Sequence, residues 1–433
     1  MTRTLLRGAR VVTMAGAGPD AAVLDILVDG DHIADVGTNI EDSDCEIVLL
    51  RGRVVIPGLI NAHLHTWQSG LRCVGADWTL LNYVVHAHLG VAAHFQPHDL
   101  RIGTLFGALS QIDSGTTTLG DWSHNLAATA DVDAALDGLL AAGIRAVFFD
   151  GSGYRDRGPH PLHDFDRIQA DLAAGDGLVT AGLAVKGPQY SSSQIALTDL
   201  RAAKERGVPV SMHHSGGAPG PAWHAVVQAD LVGPNTNVVH GGGLDDEWLM
   251  DLSTRGTTFT ITPESELRLG PEPVIANQLA RLGLAPSLGT DVDIAVPGDI
   301  LTAARILLTH QRSIEHERIA FGEADVPLTT AKNALAWATA EGARALGLSG
   351  RVGRLAPGMQ ADIVVIDATA PNLWPAHDPI AAALHANVGN IEAVMIAGRW
   401  RKRDHHLVDV DLDTLRDEIA ESGQRILRHL EST

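Results

Sequence analysis

Cysteine is scarce in this chain, which has two, Cys45 and Cys73, among 433 residues. Two thiols cannot form the disulfide framework of a small secreted protein or a thiolate cluster around a metal, which favours a reducing cytoplasm. The N-terminal MTRTLLRGARVVTM lacks the sustained apolar run of a signal peptide. No segment reaches the ~18 uninterrupted apolar residues of a membrane span. We therefore expect a cytoplasmic protein that has no membrane partner.

Basic residues are also in deficit, because 32 Lys and Arg stand against 52 Asp and Glu, giving a formal net charge of −20 at pH 7. This charge opposes broad contact with nucleic acid or an anionic membrane. The acidic residues are scattered, which favours solubility and specifies no substrate. With 45% hydrophobic residues, the chain is long enough for one large domain with a satellite, or for two domains.

Short apolar runs alternate with Ala- and Leu-rich helical stretches through the middle of the chain. The eight runs are VVIPGLI, GTTTLGDW, IRAVFFDG, LVTAGLAVKG, VPVSMHH, TNVVHGGG, TTFTITPE and APSLGTDVD. Eight strand–helix alternations are what a (β/α)₈ TIM-type barrel requires, and such a barrel belongs to the α/β class. An open doubly wound sheet is the alternative, but no G-x-G-x-x-G follows the first strand to support it.

Both ends of the chain have a different sequence pattern from the middle. Residues 1–55 read as short strands separated by turn signals such as Asp29-Gly30, and the stretch from Gly353 to Arg401 repeats this pattern. We predict a small discontinuous β-sandwich domain, made of residues 1–55 and 353–433, around a barrel of residues 56–352. Residues 411–430 have apolar positions at helical spacing behind an acidic first turn, which predicts a packing helix.

The first barrel strand runs directly into a pair of histidines, His63 and His65. Side chains two apart on a strand point the same way, so both imidazoles can converge on one metal ion at the carboxyl end of the strand. Two satisfied core histidines are the alternative. Further candidate ligands end or follow later strands: Lys186, His213, His240, Glu264, Glu266 and Asp291. Because the chemistry of a barrel lies at the carboxyl ends of its strands, this distribution favours a metal site.

Three neutral imidazoles and one carboxylate suit zinc or ferrous iron and leave a position open for water. The pKa of the bound water falls toward ~7, so a hydroxide becomes available to attack a carbonyl or amidine carbon. Asp291 can take the proton of that water. His240 can hydrogen-bond the water or the developing oxyanion.

The chain resembles the amidohydrolase superfamily, specifically its cytosine deaminase and triazine hydrolase-like branch. The motifs that carry the resemblance are PGLINAHLH, SGTTT at 114–118, VSMHH, VVHGGG, LGTD at 288–291 and LAPGMQADIVVID. The resemblance implies a mononuclear site with His63, His65, His213 and Asp291 as ligands and His240 as the catalytic neighbour. It also implies one divalent ion per chain, zinc or alternatively iron or manganese, and a homo-oligomer, either a dimer or a larger assembly.

One motif departs from this family pattern. Many deaminases of the branch carry H-x-x-E on the fifth strand, where the glutamate shuttles protons onto the leaving nitrogen, whereas HHSG places Gly216 at that position. Glu264, which we predict to be catalytic, and Lys186 are possible substitutes. Glu266 and His214 are further substitutes, although both could be solvated. Lys186 could instead pair with a carboxylate, or bridge two metals as a carbamate, which suits this ligand pattern less well.

Aromatic residues make up only 4% of the chain, so those near strand ends stand out as groups that could stack on a flat ring. The predicted substrate contacts are Gln68, Trp67, Trp78, Tyr83, Trp122, Lys186 and His214. Packing under a lid is the alternative for the aromatic residues. The segment 70–97 is long for a βα loop, which predicts a lid or a subunit contact. Its His86 and His88 are predicted to be structural or surface groups.

These patterns predict a metal-dependent hydrolase that uses an activated water on a C–N bond of a small cyclic or aromatic compound. The bond could belong to an amide, an amidine or an aminated heterocycle. The alternative on the same scaffold is a cyclase or dehydratase that forms a heterocycle, as in benzoxazole synthases, and Gly216 keeps it open. A non-catalytic binding or assembly protein is a third hypothesis, which the complete ligand set disfavours.

Overall fold

A computed structural model of the protein describes residues 3–16, 20–162, 164–270 and 273–430. Its strands are β1 (Arg3–Val11), β2 (Ala22–Asp29), β3 (His32–Gly37), β4 (Glu46–Leu49), β5 (Arg53–Pro57), β6 (Leu59–Leu64), β7 (Thr116–Ser123), β8 (Arg145–Gly151), β9 (Val179–Val185), β10 (Val210–His214), β11 (Thr236–His240), β12 (Thr258–Ile261), β13 (Ser287–Leu288), β14 (Ile363–Asp367), β15 (Ile391–Ile396), β16 (Arg399–Arg403) and β17 (His406–Leu407).

The helices of these ranges are α1 (Leu80–Tyr83), α2 (Pro97–Asp113), α3 (Thr129–Ala142), α4 (Phe165–Ala173), α5 (Gly187–Tyr190), α6 (Ser193–Arg206), α7 (Pro221–Gln228), α8 (Asp246–Thr254), α9 (Pro263–Leu269), α10 (Ala276–Arg281), α11 (Ile300–Ala320), α12 (Ala331–Trp337), α13 (Ala340–Ala345), α14 (Pro379–His385) and α15 (Leu412–Leu430). Short 3₁₀ turns span Thr66–Leu71, Val91–His94 and Val388–Asn390, and a π-helical turn spans Val84–His88. None of the described helices is long and apolar enough to cross a membrane.

Strands β6 to β13 form an eight-stranded parallel sheet in which each strand pairs with the next. The first strand meets the chain after the last strand through main-chain hydrogen bonds, from the His65 N–H to the Asp291 carbonyl at 2.9 Å and from the Asp291 N–H to the His63 carbonyl at 3.0 Å. A continuous core of apolar side chains lies between these strands and the surrounding helices. The predicted (β/α)₈ barrel is confirmed, and its closure lies at the predicted metal ligands.

The remaining strands form one mixed sheet from both ends of the chain. Its order is β17-β16-β15-β14-β5-β1-β2-β3, with β4 pairing on β1. The returning strand β14 is antiparallel to β5, with Val364 opposite Ile56. The prediction that both chain ends build a separate β unit is therefore confirmed, while the domain limits at 55/56 and 352/353 stay predictions.

The apolar run that precedes the two histidines belongs to both sheets. Residues up to Pro57 pair in the mixed sheet as β5, and residues from Leu59 onward pair in the barrel as β6. Gly58 joins them, and a Cβ at this position would lie 1.9 Å from Oγ1 of Thr117. Gly58 is thus the crossing between the two sheets, where only glycine fits.

Candidate active site

Four side chains converge where β6 and β10 end and just after β13. The Nε2 atoms of His213 and His63 are 3.2 Å apart. Oδ1 of Asp291 lies 3.3 Å from Nε2 of His63 and 3.4 Å from Nε2 of His65. Four donors that bind one zinc ion tetrahedrally at about 2.0–2.1 Å stand about 3.3 Å from one another. The four predicted ligands therefore have the spacing of a single metal centre.

Neighbouring groups fix which atoms face this centre. Nδ1 of His65 donates to the carbonyl of Trp122 at 2.8 Å, so its Nε2 is the nitrogen with the lone pair. Ser265 donates to Oδ2 of Asp291 at 2.5 Å, which leaves Oδ1 to the imidazoles. The backbone of Asp291 is left-handed, with φ of 65°. Such a conformation in a non-glycine residue costs free energy and persists where the surroundings impose it.

Burial sets the protonation of the cluster. It lowers the pKa of His63 to about 4 and holds the pKa of His213 well below its usual value. Burial alone would raise the pKa of Asp291, but the imidazoles of His63 and His65, within 3.4 Å of its Oδ1, outweigh burial and hold that pKa well below its usual value. At neutral pH His63 and His213 are therefore neutral imidazoles and Asp291 is an ionised carboxylate, which are the forms that bind a divalent cation.

His240, at the end of β11, lies beside the ligands. Its ring centroid is 5.4 Å from that of His213. Its Nδ1 is 3.1 Å from Oε1 of Glu266 and 3.1 Å from Oγ1 of Thr262. The same Oε1 accepts the Thr262 main-chain N–H at 2.8 Å. The alternative that Glu266 is solvated is wrong, because 11% of its side chain is exposed and its carboxylate faces His240.

The model of the amidohydrolase family matches residues 54–401. The chain belongs to the amidohydrolase family. This amidohydrolase is 28% identical to a 5-methylthioadenosine/S-adenosylhomocysteine deaminase of Pelotomaculum thermopropionicum, with 99% of each chain covered. Its fold is similar to that of a zinc-bound adenosine deaminase from Xanthomonas campestris, with TM-score 0.87, 22% identity and 99% of each chain covered. It is also similar to zinc-complexed atrazine chlorohydrolase from Arthrobacter aurescens TC1, with TM-score 0.84, 20% identity, and 97% of this chain and 100% of that chain covered.

These likenesses confirm several predictions made from the motifs. The chain is a metal-dependent hydrolase of the amidohydrolase superfamily that acts on C–N bonds of small molecules. The three imidazoles and one carboxylate supply a site for a divalent metal ion.

The amidohydrolase lacks the usual acid after β10. Gly216 has a left-handed backbone, with φ of 86°, and an added Cβ would meet no heavy atom within 4 Å. A glutamate side chain would find space there, but its backbone would be strained. The turn is therefore shaped for glycine.

Glu264, predicted to be catalytic, faces another direction. Its Oε1 accepts a hydrogen bond from Nη1 of Arg268 at 3.3 Å, and Nη2 of Arg268 donates to the carbonyl of Ala76 at 2.9 Å. Burial raises the pKa of Glu264. Positions 264 and 266 are about 200° apart around a helix, so Glu266 is the one that reaches His240. The catalytic role of Glu264 stays a prediction without a contact to the ligand cluster.

Three of the four predicted substrate residues in the segment after β6 are buried. Nε2 of Gln68 donates to the Tyr83 hydroxyl at 2.6 Å, and both side chains are buried. Burial raises the pKa of Tyr83 well above its usual value, and the charge of Asp291 raises it further. Trp67 is fully buried, with its ring centroid 4.9 Å from that of Phe95, so it packs under the segment 70–97.

The other predicted substrate residues are distributed around the barrel mouth. The Trp122 ring lies 4.4 Å from the His213 ring and forms a wall of the cluster. Trp78 packs against the His86 ring at 5.1 Å. Lys186 donates to the main-chain carbonyl of Asp156, rather than to a carboxylate as one alternative proposed, and burial lowers its pKa.

The structure corrects the expectation for His214. Successive strand residues point to opposite faces, so His214 faces away from the side that carries His213. Its ring is fully buried, and Trp223 donates to its Nδ1 at 3.0 Å. It is therefore not solvated, and its predicted substrate contact has no support in this geometry.

Sequence reasoning missed two neighbours of the ligands. The ring of His124 lies 4.3 Å from that of His65 and 4.9 Å from that of His88, and burial holds its pKa well below its usual value. His124 directly follows β7, so the same strand-end argument that selected His213 could have found it. Ser265, which contacts Asp291, left no comparable signal. His88 is buried and stacks on Tyr154 at 5.2 Å, consistent with a structural group.

Proposed function

We propose that this amidohydrolase is a zinc-dependent deaminase that hydrolyses the exocyclic amino group from an aminated heteroaromatic ring, with adenine nucleosides as the substrate class. The single observation that carries the proposal is the group of three imidazoles and Asp291, whose ligand atoms all lie within 4.8 Å of one another, with His240 beside it. The class of substrate is supported by the deaminases that the chain resembles, one named for 5-methylthioadenosine and S-adenosylhomocysteine and one for adenosine.

The chain's own residues have distinct parts in this reaction. His63, His65, His213 and Asp291 would hold the zinc ion, which lowers the pKa of a water toward ~7 and so supplies hydroxide at neutral pH. Asp291 accepts a proton from the attacking water through its carboxylate. His240 hydrogen-bonds the oxygen that attacks the ring carbon. The buried Trp67 and Tyr83 exclude bulk water from one side of the cluster.

A substrate panel tests the proposal. Zinc-loaded protein is incubated with adenosine, 5-methylthioadenosine and S-adenosylhomocysteine, with cytosine as the comparison substrate, and ammonia is measured alongside the mass of the product. We expect one ammonia per product from at least one nucleoside, and loss of the activity in chelator followed by recovery with zinc. Ammonia from none of the nucleosides would refute the proposed substrate class.

The second candidate function is a cyclase or dehydratase on the same scaffold, and Gly216 is the observation that favours it. Without the family acid, a reaction that closes a ring and expels water would not require protonation of a leaving amine. The mass of the product distinguishes the two, because hydrolysis adds the oxygen of water to the substrate whereas cyclisation removes water.

Two finer properties accompany the proposal. The metal is zinc rather than iron or manganese, since three imidazoles and a carboxylate suit it and both neighbouring structures named above contain it. The chain forms a homo-oligomer, as its family resemblance implies. Metal analysis of the purified protein and its mass in solution test these properties.

A further inference from the structure

Hydrolysis of an aminated ring requires two proton transfers. Water adds its oxygen to the ring carbon, the C–N bond to the amino group breaks, and both water protons move: one ends on the ring nitrogen and the other on the departing ammonia. A single general base cannot easily be placed against both positions, so a second transfer group is expected. This requirement rests on the proposed function, in which Asp291 supplies one of the two groups.

The usual source of the second group is absent from its usual place. Gly216 occupies the position of the family acid on the turn after β10. His214, two residues earlier, is turned toward Trp223, and Glu264 is paired with Arg268. The titratable side chain that lies against the ligand cluster on the neighbouring strand is His240.

The surroundings of His240 select one of its two neutral forms. A carboxylate only accepts hydrogen bonds, so the ring nitrogen that faces Oε1 of Glu266 at 3.1 Å carries the proton. The hydroxyl of Thr262 donates to the same Oε1 at 3.2 Å and presents its lone pairs to Nδ1 at 3.1 Å, which favours the same form. Nε2 is then the acceptor nitrogen of the ring.

Glu266 is itself held in place. The Thr262 main-chain N–H donates to its Oε1 at 2.8 Å, and the Thr262 hydroxyl donates to the same oxygen at 3.2 Å. The left-handed backbone of His240, with φ of 68°, brings its ring to this carboxylate at the end of β11. A histidine held by a carboxylate in this manner is the arrangement that orients proton-transfer histidines in hydrolases.

We propose that Glu266 is a positioning residue that holds His240 in the Nδ1–H form, so that Nε2 accepts one proton from the attacking water and delivers it to the departing amino group. The His240–Glu266 pair thereby replaces the acid that is absent at Gly216. Asp291 handles the second proton, and the atoms and charges of the hydrolysis balance without a further reactant.

The form of the His240 ring can be read without any substrate. In protein with ¹⁵N-labelled histidine, two-bond ¹⁵N–¹H correlation spectra of wild type and His240→Asn identify the signals of His240 among the 21 histidines of the chain. We expect the protonated nitrogen to be Nδ1 in the zinc-loaded wild type. Glu266→Leu removes this acceptor, so the preference for the Nδ1–H form should be lost and an Nε2–H form should appear. Glu264→Gln, on the same helical turn, is the matched control and should leave the His240 signals in place.

Kinetics tests whether Glu266 acts through His240. On a nucleoside that the wild type deaminates, Glu266→Gln should lower kcat by about 100-fold with KM within about threefold, and Glu266→Asp should recover part of that loss. In a His240→Asn background, Glu266→Gln should lower kcat by less than about twofold. A residue that acts only through another has no separate effect once that other residue is removed.

The outcomes separate this inference from the proposed function. Equal losses from Glu266→Gln in both backgrounds, or an Nε2–H form in the wild type, would overturn the role of Glu266. If the wild type deaminates no nucleoside, the proposed function fails, and the spectra still decide the form of the His240 ring.

Discussion

At the scale of single residues, Asp291 connects the fold to the chemistry. Its main chain closes the barrel against His63 and His65, while its two carboxylate oxygens have different partners. Oδ1 faces the imidazoles and Oδ2 accepts from Ser265. One residue therefore ties the closure of the barrel to the ligand cluster, and in the proposed reaction it serves as both a ligand and a base.

Replacing Asp291 by Asn should abolish turnover without unfolding the protein. The amide keeps the shape of the side chain but loses the charge that binds the metal ion and accepts a proton. We expect kcat/KM to fall by about 10³-fold or more, with an unchanged circular dichroism spectrum. An Asp291→Asn protein with wild-type activity would show that the base is another group.

Asp121 is a second buried carboxylate, and here the effect of burial on the pKa outweighs that of the hydrogen bonds. Oδ1 accepts from the Thr66 hydroxyl at 2.6 Å, whereas Oδ2 is buried without a hydrogen-bond partner among the residues that the structure describes. Burial raises the pKa of Asp121 from 3.8 to about 6. A difference of this size corresponds to about 3 kcal/mol. The ionised side chain thus destabilises the metal-free protein above the raised pKa.

The direction of this pKa shift determines how stability depends on pH. Because the folded pKa lies above the unfolded pKa, the folded state binds more protons, and the contribution of Asp121 to the free energy of unfolding grows as the pH falls through about 6. Asp121→Asn is neutral at every pH, so in chelator-treated protein it should be more stable than wild type at about pH 8, and about half of that advantage should remain at about pH 5. Urea unfolding at the two pH values measures the free energy of unfolding of both proteins. The same difference between them at both pH values would contradict the raised pKa of Asp121.

Residues at strand ends were predictable, whereas residues on the following turns were not. His63, His65, His213, His240 and Asp291 were placed by the rule that the chemistry of a barrel lies at the carboxyl ends of its strands. The choice between Glu264 and Glu266 depends on where α9 begins, because two residues span about half a helical turn. The sequence contains no signal strong enough to locate the first residue of α9 and so to decide which glutamate faces His240.

At the scale of elements, the C-terminal helix α15 packs against α2 and the segment that follows β6. Its Ser422 donates to the buried Asp99 at 2.6 Å, and its Ile426 packs in one cluster with Leu71 and Tyr83. The sequence predicted a packing helix here, and the structure confirms it. The partner of that helix was not predictable, since the contact joins residues more than 300 positions apart in the chain.

Gly423 is where α15 approaches the turn after β6 most closely. A Cβ at this position would lie 2.2 Å from the carbonyl oxygen of Gly70. Gly423→Ala gains about 1 kcal/mol of helix propensity but forces two backbones apart, which costs about 1–3 kcal/mol. We expect a net loss of stability and a lower Tm. Glu421→Ala, at an exposed position of the same helix, should change stability by less than about 0.5 kcal/mol. A Gly423→Ala protein as stable as wild type would show that the helix can shift without cost.

At the scale of the whole molecule, one buried ion pair joins the barrel to the mixed sheet. Arg145, at the start of β8, donates from Nε and Nη2 to the two oxygens of Asp362 at 2.8 and 3.0 Å, and from Nη2 to Gln360 at 2.7 Å. Both members of the pair are buried. The short-strand pattern of the chain ends predicted the second sheet, but no local sequence pattern predicted this long-range ion pair.

Removing one partner of this pair should destabilise the protein strongly. Asp362→Ala leaves the guanidinium of Arg145 buried without its counter-charge, which costs about 3–5 kcal/mol. Asp137→Ala is the control, because its ion pair with Arg101 is exposed and is worth less than about 1 kcal/mol. Denaturant unfolding compares the two, and equal effects would show that the interface between the sheets does not depend on the pair.

The central claim is that the ligand cluster activates a water that replaces an amino group on a ring carbon. The most direct test is zinc-dependent turnover of a nucleoside in ¹⁸O-labelled water, with the mass of the product measured. The account predicts one ¹⁸O atom in each product molecule and one released ammonia, both only when zinc is bound. A product that has lost water, or one that forms without uptake of ¹⁸O, would contradict it.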